Sequence, residues 1–219
     1  MAEASTIIVA DTSVVINLNA TDRAAGILNA LPFRVVLTDI VAGELREDHR
    51  SGRNDTRRLD ALVQAGLISL VSLGEPGLVV FGELVVGPAG DTLDDGEAAT
   101  IAIAVEHEIA PVIDERKALR ICAEKYPALR PMCTADLFAD IAMLAALGRD
   151  VLADAVFRAL REARMRVLVE RVPWVVELIG AERAADCPSL PRTARRGWCT
   201  SAHDGGALFA RQAGKPRPL

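Results

Sequence analysis

The chain has 219 residues, 51% of them apolar and only 4% aromatic, which suits one well-filled domain of closely packed helices around a small sheet and is short for two domains. A net charge of −5 argues against a generic polyanion-binding surface, although a local basic patch stays open. No apolar run reaches the length of a membrane span, the opening "MAEAST" lacks the basic and apolar regions of a secretory signal, and the four cysteines lack CxxC spacing, so a reduced, cytoplasmic chain is expected.

Residues 6–10 read as a short, β-branched, buried strand that ends on Asp11. A helix is expected from Thr12 or Ser13, and another near Asp22. "RVVLT" (34–38) reads as a second strand and "DIVAGELRED" as a helix capped by Asp39. The basic stretch "HRSGRNDTRR" leads into "LDALVQAG", whose spacing is helical and whose Gly66 suits a C-cap. "LISLVSL" (67–73) predicts a third strand, whereas "GLVVFGELVV" leaves strand and helix open. "LDDGEAATIAIAVEHE" is a helix with acids in its first turn, and "APVID" (110–114) is a fourth strand that again ends on an Asp. Helices are expected at about 115–126, 134–147 and 150–165. Strands alternating with helices imply parallel pairing in an open α/β sheet.

Beyond Arg164 the character changes. "RVLVERVPWVVELIG" is apolar but broken by Pro173, and from Glu182 onward the chain is rich in Pro, Gly and Arg without a clear period. The expected organisation is a domain over 5–165 and a C-terminal extension over 166–219, whose end is weakly structured or dependent on a partner. The apolar segment around Trp174 is a candidate docking surface for a partner protein or a second subunit.

In open α/β sheets the ligand site lies outside the carboxyl ends of the strands, where Asp11 and Asp114 both fall. Glu44, one turn into the segment after the second strand, and Glu97, in the first turn of the helix before the fourth, are placed near the same edge. Four carboxylates gathered without a cation repel one another, and some must take up protons. A hard divalent cation, Mg²⁺ or Mn²⁺, relieves that repulsion with oxygen ligands. It also acidifies a bound water and neutralises charge on phosphoryl oxygens, so the implied chemistry is metal-assisted phosphodiester hydrolysis. The bland alternatives are a helix N-cap for Asp11 and a solvated surface acid for Glu44. A phospho-aspartate nucleophile at Asp11 would want a second Asp two residues on, where Ser13 stands.

"IIVADTSVVINL", "VVLTDIVAGEL", "GEAATIAIA" and "PVIDERKALRICA" together resemble the successive blocks of a PIN domain, in order and at its spacing, over roughly residues 5–150. The similarity is greater to a bacterial and archaeal branch related to the ribonuclease toxins of type II toxin–antitoxin pairs. The resemblance implies a three-layer α/β/α sandwich with a central, mostly parallel sheet, and an acid cluster binding Mg²⁺ or Mn²⁺. It places the catalytic, metal-binding acids at Asp11, Glu44, Glu97 and Asp114, and a supporting hydroxyl at Ser13. The fourth block departs from the family's "T-x-D", leaving its register open by one residue, with Glu115 as the alternate ligand. Asp95 is the fallback for Glu97. "MCTADLF" resembles a later "G-T" block with Cys133 replacing the Gly, which gives Thr134 a supporting role and makes Asp136 a candidate fifth acid.

Arg116 and Arg120, four apart on one helix face, are candidates for holding substrate phosphates, against a bland role as partners of Glu115 and Glu124. The run Arg46, Arg50, Arg53, Arg57 and Arg58 lies close behind Glu44 and is a candidate RNA-facing patch. His49, His107 and His203 are scattered, and Cys187, Cys199 and His203 do not make a zinc finger. The leading expectation is a metal-dependent ribonuclease with RNA as substrate and an antitoxin protein or a second copy as candidate partners. The alternative is a non-catalytic PIN-like module that binds RNA or protein.

Overall fold

A computed structural model of the chain describes residues 6–47 and 54–196. His49, Arg50, Arg53, Cys199 and His203, with the rest of the final segment, lie outside the described residues.

Among the described residues four strands form the sheet: β1 (Thr6–Ala10), β2 (Phe33–Thr38), β3 (Ile68–Val71) and β4 (Ala110–Val112). They pair in the order β3-β2-β1-β4, and every pairing is parallel. Ile8 lies opposite Val35 on one side, and Ala10 opposite Val112 on the other. Between β1 and β2 run α1 (Thr12–Ala20) and α2 (Ala24–Ala30), and between β2 and β3 run α3 (Asp39–Glu47) and α4 (Asp55–Gln64). Between β3 and β4 come α5 (Glu75–Val85) and α6 (Asp95–His107). After β4 follow α7 (Arg116–Lys125), α8 (Thr134–Ala139), α9 (Ile141–Leu147) and α10 (Arg149–Glu162). The last described helices are α11 (Val172–Ile179), α12 (Ala181–Ala185) and α13 (Arg192–Arg195).

The apolar strand runs explain the layering. Successive side chains of a strand point to opposite faces, so a strand apolar at every position needs cover on both. Ile8, Ala10, Val35 and Leu37 enter the main core with Val14 and Leu18 of α1, Val41 and Leu45 of α3, and Val156 and Leu160 of α10. Val9 and Val36 face the other way, onto Ile103 and Ala104 of α6. α6 is buried from Gly96 to Ala104, and its alanines and glycine let its backbone lie close to the sheet. Beyond α6, Leu84 of α5 and Ile121 and Cys122 of α7 complete a second apolar cluster. The result is the expected three-layer α/β/α sandwich, its sheet wholly parallel.

Several elements depart from the sequence expectations. "GLVVFGELVV" is helical as α5, because Pro76 at its start suits a first turn and its apolar residues pack at helical spacing. The helix expected over 134–147 divides at Asp140, whose non-helical backbone ends α8 and whose carboxylate accepts from Ala142 N (2.8 Å) to cap α9. The third strand contracts to four residues.

The described part of the segment set apart as a C-terminal extension is folded onto the main core, which corrects the expectation of a weakly structured end for residues up to Arg196. Val172, Val175, Leu178 and Ile179 form the inner face of α11, and Ala184, Cys187, Leu190 and Ala194 continue the same core. Pro173 sits in the first turn of α11, where it starts the helix and breaks nothing. The apolar residues that suggested a docking surface around Trp174 are therefore largely spent on this chain's own interior, with Trp174 itself half-buried against it.

Candidate active site

The chain runs outward from β1 to β2 and β3, then returns to place β4 on the free side of β1. The order reverses between β1 and β4, and a crevice opens at the carboxyl ends of strands at such a point. A cleft of about 380 Å³ lies there, and Asp11, Glu44, Asp94, Glu97, Asp114 and Glu115 line it.

Asp11 follows the last residue of β1 and is 5% exposed. Its N–H donates to Val112 O of β4 (3.1 Å), while its carboxylate caps α1 by accepting from Ser13 N (3.3 Å) and Ser13 Oγ (2.8 Å). Cap and cleft wall are thus the same residue. Thr12, read in the sequence only as a candidate helix start, donates from Oγ1 to Glu44 Oε2 (2.5 Å) and so ties α1 to α3.

Glu44 also leans over the start of α6. A Cβ on Gly96 would stand 2.9 Å from the Glu44 carboxyl carbon, so only glycine admits the carboxylate there. The Gly96 N–H hydrogen-bonds that carboxylate. Glu97 follows, 9% exposed, with its N–H donating to Asp94 Oδ1 (2.9 Å) at the N-cap of α6. Asp94 and Asp95 are both exposed, but only Asp94 lines the cleft beside Glu97, in the place where Asp95 was the fallback. A signal for it existed: Asp94 and Glu97 have the i, i+3 spacing of a capping box at a helix start.

Asp114 lies two residues past β4 and is 3% exposed. Thr134 donates to it twice, from N to Oδ1 (2.7 Å) and from Oγ1 to Oδ2 (2.7 Å). Asn17 Nδ2 donates to Oδ2 as well (2.8 Å). Ile113 N to Met132 O (2.9 Å) and Met132 N to Pro111 O (2.8 Å) hold the two segments side by side, which delivers Thr134 to Asp114. Asn17, unremarked in the sequence, is one turn beyond Ser13 on the same face of α1, and its burial inside an apolar run was the available clue.

The two acids left open in the fourth block take different places in the cleft. Asp114 points into the buried cradle, whereas Glu115 caps α7 at the cleft rim and is ion-paired with Arg166. Asp136 does not line the cleft; it accepts from Cys133 N (2.8 Å) to cap α8 and pairs with Arg171. Among the basic candidates, Arg46 pairs with Asp60 (3.3 Å), and Arg120 pairs with Glu124 (2.8 Å) and donates to Gly90 O. Neither these nor the exposed Arg116 line the cleft, while Arg57 is exposed and Arg58 pairs with Asp22. The cationic side chains that do line it are Arg164 and Arg166, just past α10.

The electrostatics follow from burial and crowding. Burial pushes the Asp11 carboxyl up, against the Ser13 and Thr12 hydrogen bonds, and Asp94 adds to the rise. Burial likewise raises Glu44, opposed by Thr12 and reinforced by Asp94 and Asp11. Glu97 is pushed from 4.5 to about 7, by burial first and then by Asp94 and Asp11. Asp114 is raised by burial, against the hydrogen bonds from Thr134 and Asn17. Carboxylates that raise one another's pKa in an oxygen-only site match the donor chemistry of a hard divalent cation. Each is nevertheless turned to its own hydrogen-bond donor, and among the described residues no three His, Cys, Asp or Glu side chains are gathered as a ready metal-binding set.

No helix among the described residues is long and apolar enough to cross a membrane. A search of curated proteins finds no match. A family model described as a PIN domain matches residues 7–174, which takes in all of the sheet but Thr6 and every residue that lines the cleft. PIN domains are generally nucleases that use divalent metals. On the extent of that match, the chain belongs to the PIN domain family.

Proposed function

We propose that this protein is a metal-dependent ribonuclease that hydrolyses RNA phosphodiester bonds in the β1/β4 cleft. The observation that carries the proposal is the convergence of Asp11, Glu44, Glu97 and Asp114, from four separate segments, on one cleft in a PIN-domain chain. Asp11, Glu44, Glu97 and Asp114 would hold Mg²⁺ or Mn²⁺, with Asp94 adding charge beside Glu97. Bound there, the cation would supply an acidified water and offset charge on the phosphoryl oxygens.

The chain's own residues prepare that site. Ser13 fixes the Asp11 carboxylate, Thr12 fixes Glu44, and Thr134 with Asn17 fixes Asp114. Such locking keeps donor oxygens where they are needed without a cost of ordering at the moment of reaction. Glu97, pushed up to about 7 by burial and by Asp94 and Asp11, would give up its proton near neutral pH when a cation binds.

Cleavage of RNA in Mg²⁺ or Mn²⁺ is the test, run beside an Asp11→Asn variant. Asp11→Asn keeps the size of the side chain and removes its charge, and a loss of at least about 100-fold is expected. Equal rates in the two proteins would overturn the assignment. A role as the toxin of a toxin–antitoxin pair belongs to the same proposal and rests on the sequence resemblance alone; growth arrest on induced expression, absent with Asp11→Asn, is its test. If calorimetry detects no divalent-ion binding, a non-catalytic RNA- or protein-binding module replaces the enzyme.

A further inference from the structure

The segment "ARMRV" after α10 alternates in a way the nuclease chemistry above does not use. Met165 and Val167 are buried in the main core, at 1% and 8% exposure, and between them Arg164 and Arg166 are exposed at the cleft. Met165 N donates to Ala159 O (3.0 Å), which pins the turn to the end of α10. Arg164 occupies the left-handed region, with φ +54, a conformation that costs a non-glycine residue energy and persists where the surroundings impose it. Two buried anchors and one forced backbone angle thus present two guanidinium groups to the acidic cleft. They are the only cationic side chains among the described residues that line it.

A phosphate approaching Asp11, Glu44, Asp94 and Glu97 is repelled unless positive charge meets it at the entrance. Arg166 is paired with Glu115 on the opposite rim, whereas Arg164 has no ion-pair partner among the described residues. We infer that Arg164 and Arg166 form the phosphate-contacting rim for a single strand of RNA. In the free protein Glu115 occupies Arg166 in the place a backbone phosphate takes when the strand binds. This inference rests on the ribonuclease proposal for the identity of the strand, and it names the residues that hold it. The rim explains how a protein of net charge −5 admits a polyanion: it needs only a local cationic edge, since a planar guanidinium meets phosphate oxygens with two parallel hydrogen bonds.

The test measures binding apart from cleavage. A short fluorescein-labelled single-stranded RNA is titrated with full-length protein in EDTA, by fluorescence anisotropy, across a series of KCl concentrations. Arg164→Asn removes the charge with a residue that tolerates the left-handed backbone, and Arg166→Gln changes an exposed side chain, so both variants are expected to keep the wild-type Tm. Each should weaken binding about three- to tenfold and flatten the dependence of log Kd on log salt by about 0.7. Glu115→Gln, which frees Arg166, should tighten binding about two- to threefold, and that gain should vanish in an Arg166→Gln background. Wild-type affinity and salt slope in both arginine variants would overturn the inference, as would the absence of measurable binding by the wild-type protein. Failure of the nuclease proposal looks different: RNA stays intact in Mn²⁺ while the arginine variants still lose affinity in EDTA.

Discussion

Replacing Gly96 by alanine separates the fold from the site more cleanly than any other single change. The new Cβ would stand 2.9 Å from both Cδ and Oε1 of Glu44 and nearer still to Oε2, where ordinary contact is 3.4–4 Å. Glu44 must therefore withdraw its carboxylate by about 0.5–1 Å, which a side-chain end on α3 does at little cost to packing. That movement also disturbs the 2.5 Å bond from Thr12 Oγ1. Stability should hold or improve, because alanine in the first turn of α6 gains up to about 0.5–1 kcal/mol of helix propensity. Function should not hold, since a group misplaced by about 1 Å in an active site costs on the order of 100-fold. The assay pairs a thermal melt by circular dichroism with RNA cleavage in Mn²⁺ and a calorimetric Mn²⁺ titration. The expected result is an unchanged or higher Tm with cleavage reduced about 10- to 100-fold and weaker Mn²⁺ binding. Full cleavage by a well-folded Gly96→Ala protein would refute the placement of Glu44 in the reacting site, and activity lost only in step with unfolding would refute the separation of fold from site.

The metal-free protein should lose stability as pH rises from about 5 to 8. Glu97 has its folded pKa raised from 4.5 to about 7, so the native state binds the proton more tightly than the unfolded chain, and the advantage disappears as pH climbs through 7. That rise corresponds to about 3 kcal/mol at 1.36 kcal/mol per pH unit, which water in the cleft reduces to about 1–2 kcal/mol. Melts in EDTA at several pH values check the sign, and a Tm that rises across this window would contradict it; saturating Mn²⁺ should flatten or reverse the trend. Leu190→Ala should destabilise the protein by about 2–5 kcal/mol, because Leu190 is 2% exposed within the main core. An urea midpoint equal to wild type would show that the segment after α12 is not part of the cooperative unit.

Much was legible along the chain because it depends on short-range pattern. Apolar strand runs alternating with helical spacing determined a parallel sheet covered on both faces, and the acids ending the first and fourth runs, Asp11 and Asp114, fell at its carboxyl edge. Both are costly to desolvate, and each is met by donors: Ser13 two residues on, and Thr134 from a segment twenty residues away. Local order also placed Glu97, in the first turn of α6, and Glu44, about a turn and a half into α3, near that edge.

Other choices belonged to the tertiary structure alone. Asp94 faces the cleft and Asp95 does not because the helix begins between them, and one residue turns a side chain by about 100° around the axis. Asp114 enters the buried cradle and Glu115 the rim because Met132 pairs across Pro111 and Ile113 and brings Thr134 alongside. The basic run behind Glu44 promised contact by proximity in sequence, yet its described arginines pair elsewhere or lie outside the cleft, and the cleft receives Arg164 and Arg166 from the far end of the domain. Composition also marked residues 182–196 as a tail, since Pro, Gly and Arg mask a sparse apolar set. Ala184, Cys187, Leu190 and Ala194 recur three or four residues apart, yet Pro188 and Pro191 prevent one continuous helix, and what these residues share is a place in the main core. Short-range periodicity therefore decides which layers form, whereas contacts between residues distant in sequence decide which charged side chains meet.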